Sequence, residues 1–262
     1  MASTGTTAGA TRRSAWFVAW VRAWRAGFIP YDDVLDEIGG AEDQMFAEGT
    51  DAPEVPLREA LSRLSPLHPD EIRLVLPAAG DPRGLPGPGT PFTGAALVAG
   101  EGVLAGEIGL VPDVRKHVSG SGDTFATVVW RAYPLPEPAG PGLSAAWPTP
   151  AEAEAELSQA LAEATAQLTH LDIARWRPEL AGALAALRRH DDAGDLPPVF
   201  NPRARRLYAR ASLLDRVLTL AEGSAPGGAV NAFEARQRDD ALRPLTTACR
   251  RALVAACNAP LA

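Results

Sequence analysis

Residues 134–150, PLPEPAGPGLSAAWPTP, constrain the fold of this chain more than any other stretch. Six of these seventeen residues are prolines. Proline lacks a backbone N–H and fixes φ, so neither a helix nor an inner strand can continue through the segment. The patterns before it are helical and then glycine-rich and β-branched, whereas those after it are almost entirely helical. We therefore predict a linker at 136–148 between two differently built regions.

This organisation predicts an α+β fold. We expect residues 1–13 to be a disordered tail and residues 14–135 to be an α/β region, with N-terminal helices beside a small antiparallel β-sheet. After the linker, residues 149–262 are expected to form an antiparallel helical bundle. A chain of 262 residues is long enough for each region to bury a core of its own.

Tryptophans dominate the first predicted helix, which begins near Ser14 and ends before Gly27. Trp16, Trp20 and Trp24 recur every four residues and so share one face of the helix. Indole rings bury a large area, and each N–H requires a hydrogen-bond partner. Packing in the core is the simplest explanation of this stripe, and a surface for a partner protein is the alternative that bears on function.

The sheet is expected to form from segments between Ile72 and Tyr133. Residues 72–76 and 124–133 are rich in apolar and β-branched side chains and are predicted as strands. The stretch 93–104 is ambiguous, because its small residues fit a helix while its glycines disfavour one. We favour two strands here, at 95–99 and 107–111. Two short helices are predicted before the sheet, at about 30–38 and 57–64.

Helix start signals follow one another after the linker. Thr149-Pro150 and Asn201-Pro202 each place a capping residue before a proline at the first helical position, and Asn231 with Glu234 matches a capping box. A further helix is expected at about 172–189. Pro244 is expected to kink or divide the last helix.

Charge and cysteine content restrict the class of protein. The net charge of −7 disfavours nucleic acid and anionic membranes as partners, and no apolar run approaches the length of a membrane span. Cys249 and Cys257, eight residues apart on one helix, lie ~12 Å from each other, too far for a disulfide. Buried reduced thiols and a cytoplasmic location are therefore predicted.

One loop is the first choice for a ligand site. Residues 78–91, AAGDPRGLPGPGTP, follow a predicted strand and are long for a connection in a compact domain. Backbone N–H groups at Gly84 and Gly87 could bind a phosphate, with Arg83 and the more distant His117 as cationic partners. The loop lacks the Lys-Ser/Thr of a P-loop, and its prolines remove donors. A small phosphorylated ligand is thus the alternative functional hypothesis.

His170, the His190-Asp191 pair and the later Asp215 are the sharpest candidates for a catalytic metal site. Their order resembles that of the metal-dependent phosphohydrolases named for a His-Asp dyad. The resemblance implies a divalent cation that these side chains hold and that activates water. Here the pair continues as DDAGDLPP, which indicates a helix end, whereas the family carries the dyad within a helix. We therefore predict no metal and no cofactor.

Polar residues near the second hairpin are a further acid/base candidate. Asp113, Arg115, His117 and Asp123 flank it, and histidine titrates near neutral pH. Spacing alone does not bring their side chains together, so ordinary loop polarity explains them equally well.

The sequence shows no serine elbow, CxxC pair or helical HExxH. We therefore predict a non-catalytic protein-interaction or regulatory protein, which binds a protein partner or itself, for example as a homodimer. Trp16, Trp20 and Trp24 are the predicted interaction surface.

Overall fold

The computed structural model describes residues 12–40, 42–120, 122–136, 147–170, 196–223 and 232–262. The chain falls into two compact units. The sheet unit comprises the described residues of 12–147 together with 197–200 and 260–262, and the bundle unit contains the described residues of 148–196 and 201–259. Most of the predicted tail and linker, the predicted helix at 172–189 and the Asn231 cap lie outside the described residues.

The sheet unit contains four α-helices and six strands among its described residues. In chain order they are α1 Arg13–Arg25, α2 Tyr31–Gly39, β1 Asp43–Glu48, β2 Val55–Pro56, α3 Leu57–Leu61, β3 Ile72–Val75, α4 Pro91–Ala99, β4 Gly102–Ala105, β5 Ile108–Val118 and β6 Thr124–Pro134. Turns of 3₁₀-helix follow α3 and precede β3. The predicted helices near 14–26, 30–38 and 57–64 and the strands near 72–76 and 124–133 are confirmed.

The six strands form one mixed sheet with the order β2-β1-β6-β5-β4-β3. The prediction of an antiparallel sheet is wrong in one place, because β1 pairs with β6 in parallel, from Asp43 opposite Thr127 to Glu48 opposite Ala132. The other four pairings are antiparallel. The sequence of β1, DQMFAE, has none of the β-branched residues that mark a strand, so the local pattern does not predict β1.

The predicted strand at 95–99 is wrong, since these residues belong to helix α4. The Thr90 hydroxyl accepts a hydrogen bond from the backbone N–H of Thr93, at 3.0 Å, and Pro91 occupies the first helical position. Gly100 ends the helix in the left-handed conformation, with φ of +71°. Only Gly94 lies inside the helix, so the expected glycine penalty arises once. The strand predicted at 107–111 is found as the start of β5.

Helices cover both faces of the sheet. On one face, α1 places Phe17 against Trp130 of β6, with ring centroids 4.4 Å apart, and the Trp130 indole N–H donates to Gln44 at 2.8 Å. On the other face, Phe92 of α4 packs with Val75 and Val111 in a buried apolar cluster. Both faces are covered because Val128, Val129 and Trp130 of β6 are consecutive, apolar and buried, and successive side chains of a strand point to opposite faces.

The bundle unit is helical throughout its described elements, α5 Pro150–His170, α6 Pro202–Gly223 and α7 Ala232–Cys257. The predicted caps at Thr149 and Asn201 are confirmed, since Thr149 exchanges hydrogen bonds with Glu152 and Asn201 accepts from the N–H of Ala204. Pro244 does not divide the last helix but lies inside α7.

Ion pairs join the helices of the bundle unit. Arg251 of α7 pairs with Glu156 of α5, and Arg203 of α6 pairs with Glu154 of α5. Cys249 and Cys257 are buried in α7 and are not joined in a disulfide, as their spacing predicted.

Candidate functional site

The loop between β3 and α4 is held by contacts of its own. Gly84 has φ of +84°, and a Cβ atom at this position would lie 2.2 Å from the ring of Trp147, so only glycine allows the packing. The carbonyl of Gly87 accepts a hydrogen bond from the Thr93 hydroxyl at 2.6 Å. The Arg83 guanidinium donates to Asp81 at 2.8 Å. Gly87 thus offers a carbonyl to the helix start, and the charge of Arg83 has an acidic partner.

His117 lies well away from this loop along the sheet. Its ring stacks on Phe125 of β6, with centroids 4.9 Å apart. Val111, which packs with Leu85 of the loop, lies six positions before His117 on β5, and at ~3.3 Å per position the two are ~20 Å apart. None of the described contacts joins His117 to Arg83. The phosphate hypothesis at this loop stays a prediction.

Two of the acid/base candidates do meet, in a group of four charged side chains. Arg131 of β6 donates to Asp113 of β5 at 2.9 Å, and Arg115 lies 2.8 Å from Glu54 and 3.5 Å from Asp113. Arg131 also donates to the carbonyl oxygens of Gly49 and Thr50. The cluster is electrically neutral and holds the segment after β1 onto the sheet. We call Glu54, Asp113, Arg115 and Arg131 the ion-pair cluster.

Sequence reasoning missed half of this cluster. Asp113 and Arg115 alternate along β5 and so point to one face, but Glu54 and Arg131 reach them only through the strand order. Asp123 does not take part, since it lies in the turn between β5 and β6, where its N–H donates to the Ser119 hydroxyl.

The tryptophan stripe packs mainly against α2 and the chain that leads into it. Trp16 donates through its indole N–H to the carbonyl of Glu37 at 2.8 Å, and the ring of Trp24 lies 5.3 Å from that of Tyr31. Trp20 lies between them, 5.4 Å from Trp16. All three are half-buried. The arrangement agrees with core packing, and the use of the stripe as an interaction surface stays a prediction.

The proposed His-Asp metal ligands are almost all outside the described residues. His190 and Asp191 are not described, nor is the side chain of His170. Asp215 is buried on α6. Within the described ranges, no three His, Cys, Asp or Glu side chains form a group that could hold a metal ion.

The outward side of α4 is the most unusual surface among the described residues. No residue from Pro91 to Ala99 carries a charge. Val98 is 91% exposed and Leu97 39%, and the position of a Cβ atom at Gly94 has open space around it. Surface helices ordinarily present polar residues to water. We call Gly94, Leu97, Val98 and Ala99 the α4 face.

Both halves of the chain match the domains of one known protein family. Residues 14–143 match the N-terminal domain and residues 151–254 the C-terminal domain of the Rv1486c-like proteins. The chain belongs to the Rv1486c-like family. It is 31% identical to the uncharacterized protein Rv1486c of Mycobacterium tuberculosis H37Rv, over 92% of this chain and 94% of that one.

A second relative of this Rv1486c-like protein is the uncharacterized protein ML1804 of Mycobacterium leprae, 28% identical over 92% of this chain and 95% of that protein. No solved structure matches the chain. Within the described residues, none of the helices combines the length and apolar character that a membrane crossing requires.

A half-buried carboxylate lies at the start of α1 in this Rv1486c-like protein. Glu101 accepts a hydrogen bond from the N–H of Ser14 at 2.7 Å. Burial raises the pKa of Glu101 above its ordinary value of 4.5, against the opposing effects of the Ser14 hydrogen bond and of Arg12 and Arg13. The charged form is therefore less favourable in the folded protein than in the unfolded chain.

This shift predicts a pH dependence that the variant Glu101→Gln removes. Because the folded pKa is raised, the stability that the protonated group contributes is complete below about pH 4.5 and is lost as the pH rises through the folded pKa. As the pH rises from about 4.5 through the folded pKa of Glu101, the free energy of unfolding of wild type should therefore decrease relative to that of Glu101→Gln. Urea unfolding at a series of pH values measures this difference. The exposed Glu107→Gln serves as control, and parallel curves for wild type and Glu101→Gln would contradict the prediction.

Proposed function

We propose that this Rv1486c-like protein is a cytoplasmic, non-catalytic protein-interaction module that binds a partner protein on the α4 face. The observation that supports this function is the exposure of Val98 and Leu97 on a helix without any charged residue. Contiguous apolar surface of this kind marks interaction sites on proteins, since water contact with it is unfavourable. The reduced, buried cysteines agree with the cytoplasmic location.

The inner side of α4 makes the helix a rigid support for this surface. A Cβ atom at Gly109 would lie 2.2 Å from the Phe92 ring, and one at Gly102 would lie 3.2 Å from it, so the ring packs directly on two neighbouring strands. Thr90 caps the first turn and Gly100 ends the last. A helix fixed at both ends loses little conformational entropy when a partner binds, which favours affinity.

Replacing Val98 by glutamate tests the proposal. A charge in the middle of an apolar interface should weaken binding by at least about 2 kcal/mol, or about 30-fold in Kd. Val98 is 91% exposed, so the fold should remain. In native mass measurements on cell extracts, the wild-type protein should be found in an assembly heavier than its monomer mass of 27.5 kDa. The variant should be found at the monomer mass.

Phe28→Glu is the matched control, because Phe28 is an exposed apolar side chain, 58% accessible, that follows α1 rather than lying on α4. This variant should keep the wild-type assembly. If wild type is itself a monomer, or if Val98→Glu leaves the assembly intact while circular dichroism shows a folded protein, the α4 face is not the interaction surface.

A further inference from the structure

One edge of β5 has no neighbouring strand over most of its length. Strand β4 pairs with β5 only as far as Leu110, whereas β5 continues to Val118. The other edge of β5 is paired with β6 throughout. Among the described residues, no strand pairs with β5 on the side of β4 beyond Leu110. We call residues 112–118 on this side the β5 edge, and at about 3.3 Å per residue it is ~23 Å long.

The register of β5 and β6 determines which backbone groups face the β5 edge. The N–H of Leu135 donates to the carbonyl of Glu107 at 2.8 Å, so odd-numbered residues of this end of the chain bond to β6. Even-numbered residues of β5 therefore turn their N–H and C=O groups the other way. Within the described part of the chain, these groups of Val114 and Val118 have no hydrogen-bond partner. Such an unpaired row is a template for another strand.

The side chains along the β5 edge define what an added strand should carry. Val114, Lys116 and Val118 lie on the face turned away from α4, since Phe92 packs on the odd-numbered Gly109. Val114 is half-buried, Lys116 is exposed and Val118 is 72% exposed. Directly opposite residues of neighbouring strands are in contact, and opposite charges stabilise such a pair. The edge thus favours apolar residues opposite the two valines and an acidic residue opposite Lys116.

A second copy of this chain does not suit the β5 edge. Two such edges paired antiparallel about Lys116 would place two like charges directly opposite each other, which is destabilising. A shift by one step of the ladder brings Lys116 opposite Pro112, which has no N–H to donate. Lysine and proline are devices by which edge strands avoid pairing with themselves. The occupant that matches the charge of this edge is therefore a different, acidic segment.

We propose that the β5 edge is a separate binding site that takes an extended acidic segment of another protein as an added β-strand. The segment runs antiparallel to β5, in line with β4, and has the pattern apolar-x-acidic-x-apolar. Main-chain hydrogen bonds to Val114 and Val118 hold it, and Lys116 selects the acidic residue at its centre. This site goes beyond the α4 face, because it uses another segment of the chain and needs no contact with α4.

Amide hydrogen exchange of the full chain, followed residue by residue by NMR, tests the open edge. The N–H groups of Val114 and Val118 should exchange much faster than those of Arg115 and His117, which face β6. The odd-numbered neighbours are the internal control, because they lie on the same strand. Slow exchange at Val114 and Val118 in the pure protein would overturn the proposal, since the edge would then be occupied already.

A synthetic peptide tests the occupant. The probe is acetyl-Ser-Thr-Ile-Thr-Glu-Thr-Ile-Thr-Ser-amide, which should protect the N–H groups of Val114 and Val118 from exchange. Methylating the backbone nitrogen of its glutamate, which faces β5, should weaken binding at least about tenfold, because a hydrogen bond is lost. Methylating the nitrogen of the threonine before it, which faces solvent, is the matched control and should have a much smaller effect. Equal weakening by the two methyl groups would overturn strand addition.

Exchanging charges tests the role of Lys116. Replacing the glutamate of the peptide by lysine should weaken its binding to wild type about fivefold, and Lys116→Glu should reverse the preference between the two peptides. Equal binding of both peptides by wild type, or no protection at millimolar peptide, would overturn the proposal. Neither result would affect the proposed function, which Val98→Glu tests on its own.

Discussion

Replacing Gly109 by alanine is expected to lower the free energy of unfolding by about 3 kcal/mol, at the upper end of the costs of overpacking a core. The added methyl group would lie 2.2 Å from Cδ2 and 2.5 Å from Cε2 of Phe92. Gly109 does not have a positive φ, so alanine meets no backbone penalty and the cost is steric. Neither the strand, which is paired on both sides, nor the buried ring can move away cheaply.

Gly94→Ala is the matched control for this experiment. Gly94 lies inside α4, and nothing is within 4 Å of its added methyl group. Alanine is the better helix former, so this variant should be more stable than wild type by about 0.5–1 kcal/mol. Urea unfolding of both variants measures the difference. If Gly109→Ala is as stable as wild type, α4 does not pack on β5 as described.

Replacing Arg22 by methionine is expected to cost about 3 kcal/mol of stability, at the upper end of the cost of leaving a polar group without its hydrogen-bond partner. Arg22 lies on α1 and its side chain is 1% exposed. It donates to the carbonyl of Pro69 at 3.0 Å and to the Asp70 carboxylate at 3.0 Å, and its guanidinium lies 5.7 Å from the Phe200 ring centroid. Methionine fills similar space but leaves the Pro69 carbonyl without this donor.

Asp70→Asn distinguishes the buried arginine from its ion pair. The Asp70 side chain is 61% exposed, so the pair is screened by water and its loss should cost less than about 1 kcal/mol. Thermal unfolding should therefore show a large decrease in Tm for Arg22→Met and a small one for Asp70→Asn. Equal decreases would assign the stability to the ion pair rather than to the other contacts of Arg22.

Local signals predicted the elements that local chemistry determines. Thr149 and Asn201 cap their helices because a side-chain oxygen reaches a free backbone N–H a few residues on, and this needs no tertiary structure. The strand prediction for residues 95–99 is wrong because it treats all the glycines of the surrounding segment as interior residues of one helix, which they would destabilise. Three of them prove to lie at the end of α4, at the start of β4 and in the turn before β5. The Thr90 cap was the overlooked signal.

Long-range features were not predictable from the same patterns. The parallel pairing of β1 with β6 joins residues more than eighty positions apart, and the ion-pair cluster draws on three distant segments. The α4 face was missed for a related reason. Apolar residues in a predicted strand are expected to pack in the core. The exposure of Leu97 and Val98 therefore becomes visible only once the segment is known to be a helix.

The sheet unit is built from segments that are far apart along the chain, and this affects how it folds during synthesis. Phe200, whose ring lies over Arg22, pairs with Leu261, and the N–H of Ala262 donates to the carbonyl of Val199. Residues 260–262 leave the ribosome more than a hundred residues after Trp147. At about 5–20 residues per second, the nascent sheet unit therefore waits roughly 6–20 s for its last pieces. Arg22 lacks its covering ring for about the first 3–11 s of that wait, until Phe200 has been made, and the core of the sheet unit stays incomplete until residues 260–262 follow.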